Sequence, residues 1–308
     1  MKILGIGNAI VDVLCKVNDE FLSKHALTKS TMKLIDDIEF QNLISEPKIV
    51  ETISGGSVAN SIVGLSQLGN DVGFVGKVKD DHLGKKYEEG LKKENVNYLY
   101  SKKNEPLPTG SCLILITPDS ERTMCTFLGT AGKITDEDIN IDDIKNSEIT
   151  LLEGYLWDEG EPQKAFNKAI NNSNKVAMTL SDLFCVERHK AQFLDLVKNK
   201  LDIVFANEQE IMSLINTKKF DEVINFSKEL NKNVVITRGE KGAIAINNSE
   251  IFECKAEENL NIIDLTGAGD LFAAGYLHGI INNMNSKKSL SKGTELSSKI
   301  IQKIGARI

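Results

Sequence analysis

The alternation of apolar and polar positions changes rhythm twice along the chain. Residues 2–7 form a short apolar run ending in Gly-Ile-Gly-Asn, the pattern of a buried strand entering a turn. Within 57–68, Val58, Ile62, Leu65 and Leu68 recur at helical spacing, and 72–78 read as a strand. A helix is predicted over 80–94, with Asp80 or Asp81 as its N-cap. The pieces VNYLYS, TGSCLILITP and ERTMCTFLG in 96–128 then follow one another without helical periodicity between them, which predicts a small antiparallel sheet. Residues 12–17 and 31–35 add strands to it. From about residue 148 the rhythm becomes strand–helix–strand: ITLLEG, KVAMTLSD, LDIVFAN and NVVITRG alternate with helical stretches such as 186–199 and 219–231. That alternation predicts an α/β fold with a mainly parallel central sheet flanked by helices. Two further strands, GAIAIN and IFECKA, precede a helical region whose tail, 286–308, reads as an amphipathic helix.

Composition narrows the class. The chain has 308 residues, 41% hydrophobic and 26% charged, enough to bury a core without disulfides or metals. A net charge of −7 opposes broad nucleic-acid binding, which needs basic surface to meet phosphates. Only four arginines occur, Arg122, Arg188, Arg238 and Arg307, and each is a candidate anion ligand. Cys15, Cys112, Cys125, Cys185 and Cys254 are scattered without a CxxC pair, as reduced buried thiols are in a cytoplasmic protein. The histidines His25, His82, His189 and His278 lack zinc-ligand spacing. The apolar N-terminus is interrupted by Asp12 and reads as a core strand rather than a signal peptide. No stretch approaches 18 apolar residues, so no transmembrane helix and no membrane partner are expected.

The densest chemistry lies in 264–270, Asp-Leu-Thr-Gly-Ala-Gly-Asp, directly before the apolar helical run that begins at Leu271. Glycines at a helix N-terminus let backbone N–H groups approach an anion, and the helix dipole adds positive potential. There Asp270 can accept a proton from an attacking hydroxyl while Gly267, Ala268 and Gly269 N–H groups stabilise a transferring phosphoryl group. A helix-capping role accounts for Asp270 but not for the preceding Gly-Ala-Gly. No GxxxxGK[ST] occurs, and GIGNAI lacks the third glycine of GxGxxG, so neither a P-loop nor a dinucleotide site is supported.

Five segments in order carry a resemblance to the PfkB/ribokinase family of small-molecule kinases. They are GNAIVD at 7–12, SGGSVAN at 54–60 with VGKVKDDHLG at 75–84, ANEQE at 206–210, TRGEKG at 237–242, and DLTGAGD itself. Within that family the chain is most similar to adenosine kinase-like members, through GNAIVD, GSCLILITPDSERTMCTFLG and AMTLSDLFCVERHK. Leu265 stands where the family often has Thr, Ser or Pro, and Val58 where a small residue is frequent.

The resemblance implies roles for particular residues. Asn8 and Asp12 would bind substrate hydroxyls, Gly55 and Gly56 would let the sugar approach, and Asn60 would hydrogen-bond it. Asn207 and Glu210 would organise water and phosphate around Mg2+, although their spacing also suits a capping box. Thr237, Gly239 and Gly242 would line the nucleotide phosphates and the adenine edge. Asp264 and Thr266 would serve a monovalent cation such as K+, which Leu265 puts in doubt, and Val58 would add bulk behind the substrate glycines. Arg122 is a candidate clamp on substrate or phosphate, and Phe127 or Phe184 on a base.

The resulting expectation is one ribokinase-like domain, its core built from 1–11, 51–95 and 131–308. A β-rich lid comes from insertions at about 12–50 and 96–130. It would use ATP and Mg2+ to phosphorylate a nucleoside, adenosine first, or alternatively a ribose- or hexose-like sugar, as a cytoplasmic monomer or homodimer. A catalytically inert nucleotide- or sugar-binding protein and a dinucleotide oxidoreductase remain as rival classes.

Overall fold

The computed structural model describes residues 1–119, 121–157 and 160–308. Its strands in chain order are β1 (Ile3–Ile6), β2 (Ile10–Lys16), β3 (Met32–Leu34), β4 (Ile49–Gly55), β5 (Val72–Val75), β6 (Asn97–Tyr98), β7 (Ser111–Ile116), β8 (Arg122–Phe127), β9 (Ile149–Glu153), β10 (Val176–Thr179), β11 (Ile203–Asn207), β12 (Asn233–Thr237), β13 (Ala243–Asn247) and β14 (Glu250–Cys254). They form two sheets. The large one has the order β14-β13-β12-β11-β10-β9-β1-β5-β6, and the small one β3-β8-β7-β2-β4.

From β12 through β11, β10, β9, β1 and β5 to β6 every pairing is parallel, and only β13 and β14 run antiparallel. Parallel strands are covered on both faces, which is why β1, β5 and β9 are buried at every residue. One face packs under the helices Ser57–Gln67, Ala268–Ile281 and Ser286–Ile300. The other face carries a cluster holding Trp157, Phe166 and Phe193.

Four sequence expectations change. VNYLYS does not join the small sheet: Asn97 and Tyr98 pair parallel with Gly73 and Phe74 of β5 and extend the large sheet. Tyr98 decides this by burying its ring against Tyr87 and Tyr100 while its hydroxyl donates to Gly76 O at 2.7 Å. The small sheet is mixed rather than antiparallel, because β2–β7 and β3–β8 are parallel. The 186–199 segment is two helices, Leu183–Arg188 and Lys190–Asn199, the first capped by Asp182, whose Oδ1 accepts from Cys185 N at 2.8 Å.

The fourth change matters most for the site. The helix predicted over 286–308 ends at Ile300, and 301–308 fold back. Ile301 O accepts the N–H groups of Ile263 and Asp264 at 2.8 and 3.1 Å, which ties this segment to the DLTGAGD loop.

Asp81, not Asp80, caps the helix His82–Lys93, its Oδ1 accepting from Gly84 N at 2.7 Å. Among the described residues no helix is long and apolar enough to cross a membrane. The five cysteines are free.

Candidate active site

A cleft of about 880 Å³ lies between the small sheet and the C-terminal ends of the parallel strands. Strand alternation fixes what the small sheet presents to it. In β2, Val11, Val13 and Cys15 face the cluster under the sheet, while Ile10 and Leu14 belong to a separate one with Cys112 and Ile114 of β7. Asp12 shares the second face, a carboxylate in an apolar strand register, and lines the cleft. Burial pushes its pKa up to about 7, against the pull of the Arg307 and Arg122 guanidinium groups; the Asp270 charge pushes it up further.

Gly55 lies directly behind Asp12: a Cβ there would sit 2.3 Å from Asp12 Oδ2. Gly56 has φ +102°, and a Cβ would fall 2.2 Å from Asn8 O, so only glycine suits this entry to the Ser57–Gln67 helix. Asn8 is 4% exposed; its Nδ2 donates to Glu153 Oε1 at 2.9 Å, while its Oδ1 is buried without a partner.

Glu153 escapes the motif reading altogether. It ends β9 at 1% exposure and accepts from Asn8 N at 3.2 Å and Val58 N at 2.9 Å, so one carboxylate joins the β1 turn to the start of the 57–67 helix. Burial raises its pKa to about 7. Its only sequence signal is a carboxylate closing an otherwise apolar strand. Val58 adds no bulk to the cleft: its side chain is fully buried against the space left by Gly5 and Gly7.

Asp270 stands in the first turn of the 268–281 helix and is held from the 57–67 helix. Ser57 Oγ donates to its Oδ1 at 2.6 Å and Asn60 Nδ2 to its Oδ2 at 3.0 Å, while Ser61 Oγ donates to its main-chain oxygen at 2.9 Å. Burial raises its pKa to about 6; the Ser57 and Asn60 hydrogen bonds and the Arg307 charge hold it from going further. Gly267, with φ +77°, is the N-cap. Of the three amides expected to form the anion hole, the Ala268 N–H is taken by Leu265 O at 3.2 Å. Gly267 and Gly269 N–H have no partner among the described residues, and both residues line the cleft.

Known proteins match this arrangement over nearly its whole length. The model of the pfkB family carbohydrate kinases matches residues 27–308. The chain belongs to that family. The crystal structure of adenosine kinase from Sinorhizobium meliloti is 34% identical, with all of this chain and 95% of that one covered at a TM-score of 0.90. A probable sugar kinase from Rhizobium etli is 35% identical, covering 99% and 94%, at a TM-score of 0.89. Adenosine kinase of Saccharomyces cerevisiae is 24% identical over 97% of this chain and 94% of that protein.

The other end of the cleft in this pfkB kinase contains Thr237, Asn207, Glu210 and Asp182. Asn207 and Glu210 form a full capping box: Asn207 Oδ1 accepts Glu210 N at 2.8 Å, and Glu210 accepts Asn207 N at 2.9 Å and Nδ2 at 2.6 Å. The capping and the cleft-lining readings therefore hold together. Gly239 and Gly242 do not line the cleft. Gly239 is exposed, and Gly242 is needed for packing, since a Cβ would lie 2.0 Å from Cys254 O. Phe184 is 70% exposed at the cleft, whereas Phe127 is buried beside Phe40 in the core that the small sheet shares with the large one.

As a family kinase the chain uses ATP with a divalent metal. Among the described residues no group of three or more Asp, Glu, His or Cys side chains forms a metal cage. The donors do fit a cation held mainly by phosphate and water. Burial raises the Glu210 pKa to about 7, and the nearby Asp182 charge adds to that, a repulsion a divalent ion relieves.

The monovalent-cation residues do not fit such an ion as arranged. Asp264 Oδ1 accepts from Thr266 N and Oγ1 at 3.0 and 2.7 Å. Its Oδ2 accepts from Gly305 N at 2.8 Å and pairs with Arg122 Nη1 at 2.9 Å. Arg122 is thus a bridge from β8 to the DLTGAGD loop, and a guanidinium already supplies positive charge there.

Proposed function

We propose that this kinase transfers the γ-phosphoryl group of Mg2+–ATP to a hydroxyl of a nucleoside, with adenosine as the first candidate and Asp270 as the base. The observation that carries the nucleoside reading is the make-up of the acceptor end of the cleft. Asp12 and the unpartnered Asn8 Oδ1 offer acceptors for a sugar diol, and the same cleft is lined by Ile10, Leu34, Cys112, Met124 and Leu128, an apolar surface against which a base could pack.

In this mechanism Asp12 and Asn8 orient the ribose. Asp270, steadied by Ser57 and Asn60, takes the hydroxyl proton as the oxygen attacks the γ-phosphorus and the bond to ADP breaks. Gly267 and Gly269 N–H groups, at the positive end of the 268–281 helix, offset the charge on the transferring group. When bound, Mg2+ would neutralise phosphate charge, and Glu210, Asn207 and Asp182 would hold it through water. No step uses K+.

The second reading is a carbohydrate kinase, supported by the 35% identity to the probable sugar kinase of Rhizobium etli. ADP release from Mg2+–ATP, measured with separate panels of nucleosides and free sugars, decides between them. Turnover with adenosine and little with sugars is expected; the reverse overturns the nucleoside assignment and leaves the Asp270 chemistry standing. Asp270→Asn should lower kcat by a factor on the order of 10² or more. Near-wild-type turnover would remove Asp270 from the base role.

A further inference from the structure

The turn at 301–308 brings the half-buried Arg307 side chain against Asn60 and Ser54, where no motif of the sequence points. Its Nε donates to Asn60 Oδ1 at 3.3 Å and its Nη1 to Ser54 Oγ at 3.0 Å. Nη2 is buried and has no hydrogen-bond partner. Among the described residues no carboxylate makes an ion pair with it, so its side-chain partners are neutral. Removing part of a guanidinium from water without a paired anion is costly. A group kept at that expense is poorly explained as an anchor for a surface turn, because an apolar side chain would serve better.

Its contact with Asn60 has a specific consequence. A side-chain amide has one acceptor end and one donor end, and the two are nearly the same shape. Arg307 can only donate. By occupying the Asn60 oxygen it fixes the amide with its NH2 group toward Asp270 Oδ2, at 3.0 Å. The flipped amide would present an oxygen to a carboxylate and a donor to a guanidinium, repulsive at both ends.

We propose that Arg307 is a positioning residue for the phosphotransfer base: it locks the Asn60 amide in the orientation that supports ionised Asp270 and leaves a positive charge behind the reacting centre. The proposal rests on the assignment of Asp270 as base. Three further titratable groups face Asp270 electrostatically: Asp12 from β2, Glu153 from β9, and Tyr155 from the turn after β9. The Asp270 charge disfavours ionisation of the two carboxyls, both pushed up to about 7, while Arg307 favours the ionised form of Asp270 itself.

The test is the single-turnover rate against pH for wild type, Arg307→Met and Asp270→Asn, each with saturating Mg2+–ATP and the acceptor found active. Arg307→Met should slow transfer at neutral pH on the order of tenfold and move the acid limb up by roughly one pH unit. The ATP dissociation constant should change little. A merely structural role would lower Tm without moving that limb. If the methionine variant does not fold, Arg307→Lys takes its place. It should also raise the limb, though less, because one ammonium cannot hold Ser54 and Asn60 together. An unmoved acid limb in whichever variant folds overturns the proposal. Asp270→Asn separates the two ideas: if it is inactive while the Arg307 variants keep the wild-type profile, only the Arg307 role fails. If it retains turnover, the base assignment fails first.

Discussion

Arg122 of β8 lies 2.9 Å from Asp264 of the DLTGAGD loop, an ion pair whose side chains are 13% and 8% exposed. It joins the small sheet to the start of the 268–281 helix, and its burial makes each partner dependent on the other. Removing one member of a buried pair strands the other charge, at roughly 3–5 kcal/mol. Arg122→Met should therefore destabilise the protein by about 3 kcal/mol, and Arg122→Met/Asp264→Asn by less than Arg122→Met alone. Urea unfolding of the single and double variants measures the difference. A double variant destabilised as much as Arg122→Met alone, or more, is the contrary result.

The same pair bears on ion dependence. With the Asp264 oxygens held by Arg122, Gly305 and Thr266, initial rates in choline chloride should equal those in potassium chloride at the same ionic strength. Marked stimulation by potassium in the wild-type protein would contradict this.

Stability and activity should move in opposite directions with pH. Burial raises Asp12, Glu153 and Glu210 to about 7 and Asp270 to about 6, so the folded state holds protons that the unfolded chain has released above pH ~4–5. Unfolding free energy from these groups falls as pH rises through that window and recovers on acidification. On the proposed role of Asp270 as the base, which requires its ionised form, turnover does the reverse. His278, whose pKa burial lowers, opposes the stability trend, so the informative comparison is with Glu153→Gln. That variant should show a shallower decline in unfolding free energy between pH 5.5 and 7.5 by denaturant titration. An unchanged slope would mean Glu153 titrates alike in both states.

The apolar wall gives a prediction about acceptors. Met124 is half-buried on the cleft face of β8. Met124→Asp should raise the KM for adenosine on the order of tenfold or more, by placing a desolvated charge against the base. Turnover of a free sugar, which does not reach the wall, should be unaffected. Equal losses with both acceptors would show that the wall shapes the lid rather than a base slot.

Much of this was legible in the sequence, for physical reasons that differ by element. The strands β9 to β12 were readable because parallel strands buried on both faces appear as unbroken apolar runs. The 57–67 helix was readable because Val58, Ile62 and Leu65 must share one face. DLTGAGD, GNAIVD and the Asn207–Glu210 box were readable because their chemistry is local: a turn, a cap and a helix start lie within a few residues. The sequence by itself therefore determined the α/β class, the family, and some of the residues at both ends of the cleft, among them Asn8, Asp12, Asn60, Asn207, Glu210 and Asp270.

Tertiary structure alone decided the rest. Whether Asn97–Tyr98 joins one sheet or the other depends on an aromatic cluster with Tyr87, not on its own two residues. The partners of Asp264 come from positions 122 and 305, and those of Asp270 from 57 and 60. Glu153 and Arg307 carry no motif, because each acts by reaching across the chain to main-chain amides or a side-chain amide far from it in sequence. Periodicity records which face of an element is buried. It holds no information about which distant polar group that burial brings within hydrogen-bond reach.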